Sequence, residues 1–92
     1  HPARHWAQVA VGQQEEALRF TYRQFARRAP RGFAGKTGWL TPWGQTNRLL
    51  VGPFETRAAA QAFLDAIEQE AQIEGLTFES SNGQEVERLA GR

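Results

Sequence analysis

The sequence predicts an α+β domain of order β-α-β-β-α-β, with a four-stranded antiparallel sheet and two helices packed on one of its faces. Three observations carry this. Short runs alternate apolar and polar residues at period two, two longer segments carry apolar residues at helical spacing, and Gly/Pro-rich stretches separate them. The 92 residues suffice for one core and not for two, so all elements must share it.

The first strand is His5 to Gly12, "HWAQVAVG", with Ala7, Val9 and Val11 predicted on one face and Trp6, Gln8 and Ala10 on the other. From Gln13 to Ala29 the period changes. Leu18, Tyr22, Phe25 and Ala29 fall on one helical stripe, Glu15 and Glu16 occupy the first turn and Arg27 and Arg28 the last, where the macrodipole favours each charge. Pro30 is expected to stop this helix and residues 32–35 to connect it onward.

Lys36 to Phe54 reads as a hairpin. A two-residue turn at Gly44 and Gln45, with glycine supplying the positive φ of a type II′ turn, pairs Trp43 with Thr46, Thr41 with Arg48, Leu40 with Leu49 and Trp39 with Leu50. Cross-strand partners share a face. Leu40, Leu49 and Val51 then face the core, while Trp39, Thr41, Trp43, Arg48 and Leu50 face outward. Gly52 and Pro53 are expected to end the strand, with Phe54 plugging the core beneath the corner. Thr56 caps a second helix along Ala60, Phe63, Leu64, Ile67 and Ala71, which Gly75 closes. A fourth strand, Leu76 to Ser80, is expected to turn Leu76 and Phe78 inward. Right-handed crossovers bring both helices to one face, a ferredoxin-like arrangement, and leave the other face open. Residues 1–4 are expected to be a linker or cloning remnant, 5–80 the domain, and 81–92 a polar extension.

Composition narrows the function. The formal charge is +1 and the basic residues are scattered apart from Arg23, Arg27, Arg28 and Arg31, which argues against a strongly electrostatic nucleic-acid binder. Cysteine is absent, so thiol chemistry, disulfides and cysteine-based metal sites are excluded. No apolar run approaches the roughly 20 residues that span a bilayer. The chain opens "HPARHW" without methionine, and is expected to be part of a longer protein with any membrane anchor or targeting segment upstream.

Two stretches, "WAQVAVG" at Trp6 to Gly12 and "NRLLVGPFETRAAAQAFL" at Asn47 to Leu64, resemble the SPOR domain, a bacterial cell-envelope module. The family signature is an arginine-bearing strand, then Val-Gly-Pro-Phe, a short polar cap and an alanine-containing helix. The resemblance covers about His5 to Phe78. Two departures are visible: the first strand runs into "AVGQQ" where the family often has Gly-Ser-Phe, and the second strand is tryptophan-rich. The resemblance implies a periplasmic, noncatalytic, monomeric domain without cofactor. Its implied ligand is peptidoglycan glycan lacking stem peptides, bound on the open sheet face, which gathers the parent protein at the division septum. Matched residue by residue, Gln8 and Arg48 fall on the ligand face, and Gly52, Pro53 and Phe54 on a structural corner.

The residues suit that ligand on their own chemistry. A glycan offers hydroxyls, acetamido groups and weakly polar C–H faces, which aromatic faces beside amide and guanidinium donors complement. Gln8, Trp39 and Arg48 lead the candidate set, followed by Trp6, Thr41 and Trp43, and Arg48 could also meet a free lactyl carboxylate. Plainer roles compete: core packing or hairpin stapling for each tryptophan, an ordinary solvated strand position for Gln8, a surface ion pair for Arg48.

Three other functions use the same fold. RNA-binding modules stack bases on aromatics of the third strand, and "NRLLVGP" has none. Acylphosphatases hold phosphate with an arginine after the first strand, where this chain has "GQQEE". His1 and His5 sit near a terminus with no HExxH or clustered carboxylate pair, so no metal is expected. A protein-docking role in the envelope remains as the alternative, because it too would use exposed aromatics.

Overall fold

In a computed structural model, residues 4–80 and 87–89 are described. The expected linker up to residue 3, and most of the expected tail, lie outside them. The elements are β1 (Arg4–Gly12), α1 (Glu15–Arg28), α2 (Pro30–Phe33), β2 (Gly38–Trp43), β3 (Thr46–Phe54), α3 (Arg57–Ala71), β4 (Leu76–Ser80) and β5 (Glu87–Arg88). The strands form one antiparallel sheet in the order β4-β1-β3-β2-β5. The first four reproduce the ferredoxin-like arrangement, and α1 and α3 both pack on β1 and β3.

The hairpin register is as the sequence predicts: Trp39 opposes Leu50, Leu40 opposes Leu49, Thr41 opposes Arg48 and Trp43 opposes Thr46. Gly44 takes a φ of 60° while Gln45 keeps a negative φ, which fits the type II′ requirement for glycine at the first turn position. On the helix side, Ala7, Val9, Leu40, Leu49 and Val51 meet Leu18, Tyr22, Phe33, Phe63, Leu64 and Ile67 in one cluster, with Phe54 packed against it. Every predicted apolar position of α3 is buried, and the Thr56 side chain accepts the Ala59 amide as an N-cap.

Several local expectations are corrected. β1 carries a bulge, because Gln8 opposes Leu50 whereas Ala10 opposes Leu49; the extra residue puts both Val9 and Ala10 against the helices and turns Val11 to the open face beside Arg48. Phe78 and Leu76 also face the open side, since they pair with Trp6 and Gln8. The inward turn expected for them fails because cross-strand partners share a face. β3 runs through Gly52 and Pro53 to Phe54, the corner being an irregularity in its pairing with β1 where Gly52 adopts φ 141°. α1 ends before Pro30 as expected, but Pro30 then starts the short helix α2 at its first position, where a missing amide costs nothing, so part of the expected connector is helical.

α3 ends with Gln72 in the left-handed region, at φ 56°. Gly75 instead permits a close approach of backbones. A Cβ there would lie 2.4 Å from the Gln8 carbonyl oxygen, so the loop passes β1 too closely for any side chain. Past residue 80, the described Glu87–Arg88 pairs with β2, and Leu89 is buried in the helix-side core with its amide bonded to Gly38 O at 2.9 Å. The segment expected to be a polar extension therefore adds an edge strand and a core residue.

Candidate functional site

The sheet face opposite the helices carries Trp6, Gln8 and, past the bulge, Val11 on β1, Trp39, Thr41 and Trp43 on β2, Arg48 and Leu50 on β3, and Leu76, Phe78 and Ser80 on β4. It divides into two parts. Around Trp6 lies a second small core, in which Trp6 and Leu50 are buried and Trp39 and Phe78 pack against them. The Trp6 and Trp39 rings meet edge to face at 5.6 Å between centroids, a favourable quadrupole arrangement. Each indole N–H is committed: Trp6 Nε1 donates to Ser80 Oγ at 2.9 Å and Trp39 Nε1 to Gly52 O at 2.9 Å. The Gly52–Pro53 corner thus gives a conformation that aims a backbone carbonyl at Trp39.

The second part lies toward the Gly44 turn. Here Val11, Trp43 and Leu76 are all exposed, an apolar grouping that the chain's own helices cannot cover. Between this patch and the small core stands Arg48. Its guanidinium carbon is 4.2 Å from the Trp43 ring centroid and 4.4 Å from that of Phe78, so two aromatic rings hold the cation. Its Nε is buried without a hydrogen-bond partner among the described residues. An orphaned buried donor costs about 1–3 kcal/mol, and cation–π contacts worth about 0.5–2 kcal/mol each offset that in part.

The six residues singled out in the sequence therefore share one face but differ in access. Trp43 is 54% exposed, Gln8, Trp39 and Arg48 are half-buried, and Trp6 and Thr41 have relative exposures of 1% and 0%. Trp6, enclosed in the small core, and Thr41 are both too buried to present side-chain surface to a ligand. Trp43 and Arg48 are brought into contact, as are Trp6 and Trp39; Gln8 sits between Leu50 and Leu76 in the pairing registers. The sequence reading missed Val11, Leu76 and Phe78. The bulge in β1 carries no clear sequence signal, but pairing β4 to β1 in register would have turned Phe78 toward Trp6.

Among the described residues, no group of three or more His, Asp or Glu side chains is placed to hold a metal, and no helix is long and apolar enough to cross a membrane. An open depression is lined by Arg31, Gly32 and Glu70, and the Glu70 carboxylate accepts the amides of Arg31 and Gly32. It caps α2 and has no part in the sheet face.

Fold and face define a ferredoxin-like module whose sheet is covered by helices on one side and left open on the other. Comparison with known families agrees: the model described as SPOR domain matches residues 2–76, and the chain belongs to that family of peptidoglycan-binding, septum-targeting modules. No curated protein and no solved structure matches the chain.

Proposed function

We propose that this domain binds peptidoglycan glycan strands lacking stem peptides, through the open sheet face, and so carries its parent protein to the division septum in the periplasm. The observation that carries the reading is Arg48, a cation held between Trp43 and Phe78 on the one face the helices leave free. Its terminal nitrogens would meet sugar hydroxyls, acetamido oxygens or a lactyl carboxylate that peptide removal has freed. Exposed Trp43, with Val11 and Leu76 nearby, would take the C–H faces of the rings, and the half-buried Gln8 adds an amide. Buried Trp6 supports this surface from behind, and half-buried Trp39 adds ring surface beside it, with both N–H groups already engaged. The role is binding without catalysis, by a single copy of the domain.

The test is sedimentation of the domain with purified sacculi before and after an amidase has removed the stem peptides. Stronger retention on the stripped material is expected. Absence of retention on both would refute the reading and leave the apolar group of Val11, Trp43 and Leu76 to be tried against envelope proteins.

A further inference from the structure

We infer that Phe78 is a positioning residue for the ligand, acting through Arg48; this rests on the reading above. Phe78 lies beyond the span matched by the family model, which ends at residue 76. It sits on β4, separated from the Arg48 strand β3 by the whole of β1. The Arg48 side chain crosses that strand to bring its guanidinium carbon within 4.4 Å of the Phe78 ring centroid, while Trp43 from β2 meets it at 4.2 Å. Residues of β2 and β4 thereby fix a side chain of β3.

A free arginine side chain samples many rotamers, and each one lost on binding weakens affinity. Here the two rings remove that freedom before the ligand arrives, and burial of Nε leaves the terminal nitrogens as the donors to be offered. Phe78 itself is anchored, since it packs on Trp6 and Leu50, and Trp6 is tied to Ser80 two residues further along β4. The orientation of Arg48 thus depends on a ring that is itself fixed by the small core.

The experiment uses the domain with Phe78→Leu and Phe78→Tyr, each alone and with Arg48→Ala. Leucine keeps the apolar packing and lacks a π face; tyrosine keeps the ring. Retention on amidase-stripped sacculi should fall about three- to tenfold for Phe78→Leu and be kept by Phe78→Tyr, with thermal midpoints close to the parent. In the Arg48→Ala background Phe78→Leu should change nothing further. In ligand-free NMR spectra the Arg48 Nε–H resonance should be ring-shifted in the parent and in Phe78→Tyr, and lose part of that shift in Phe78→Leu. Parent-like retention by Phe78→Leu, or an equal loss with and without Arg48, overturns the inference while the glycan reading stands. A parent domain that ignores stripped sacculi overturns both.

Discussion

The Arg48 guanidinium carbon lies 4.2 Å from the centre of the Trp43 ring, on neighbouring strands and on the face turned away from the helices. Neither residue is needed for the helix-side core, yet together they join an exposed aromatic to a cation whose Nε has no partner among the described residues. This pair, and the packing behind it, can be probed by four sets of substitutions.

Arg48→Ala should weaken retention on stripped sacculi by about 10- to 100-fold, the worth of one hydrogen bond to a charged group at about 1.5–3 kcal/mol. Stability should change little, because the substitution also removes an orphaned buried donor. Arg48→Lys should not restore binding, since an ammonium lacks the planar face that stacks on both rings. A binding isotherm and a thermal melt of each variant check this.

Trp43→Ala should separate binding from folding more cleanly. With the ring 54% exposed, unfolding in urea should shift by no more than about 1 kcal/mol. Loss of its contact with the glycan and of its hold on Arg48 should lower affinity roughly five- to thirtyfold. A large loss of stability with unchanged binding would make Trp43 a hairpin staple only.

Ser80→Ala should do the reverse. It leaves the Trp6 indole N–H buried without its acceptor, at a cost of about 1–3 kcal/mol, which in a domain of this size lowers the melting midpoint by several degrees or more. Below the transition, retention on sacculi should fall by no more than about twofold, because Trp6 keeps its packing with Leu50, Trp39 and Phe78 when it loses the hydrogen bond. Calorimetry alongside sedimentation reads both.

Gly75→Ala should destabilise by about 1–3 kcal/mol, because its new methyl would lie 2.4 Å from the Gln8 carbonyl oxygen and 2.9 Å from Leu64 Cδ2. Backbone must move to admit it, and the backbone concerned carries Gln8. Chemical denaturation gives the size of the effect, and parent-like stability would show that the loop clears β1 by more than this.

The hairpin register was legible in the sequence because one glycine fixed its turn and period two then assigned each face from Trp39 to Val51. α3 was legible for a similar reason: Thr56, the corner before it and five apolar residues at helical spacing all agree. Composition and pattern, together with "NRLLVGPFETRAAAQAFL", gave the domain class and the family. They also placed Gln8, Arg48 and the tryptophans on one face, and that much needs only local periodicity.

Access to that face was decided by tertiary structure. Trp6 and Trp43 look alike in sequence, but Trp6 is enclosed with Leu50 beneath Trp39 and Phe78 while Trp43 stands exposed near a turn. One added residue in β1 sends Val11 to the open face, and the pairing of β4 sends Phe78 there too. Bulges and strand registers are set by long-range packing, where a shift of a single residue exchanges faces. The sequence by itself determined the first four strands and the hairpin register; only the folded sheet added the edge strand at Glu87–Arg88 and decided which side chains of the open face stay exposed, since both depend on neighbours brought from distant parts of the chain.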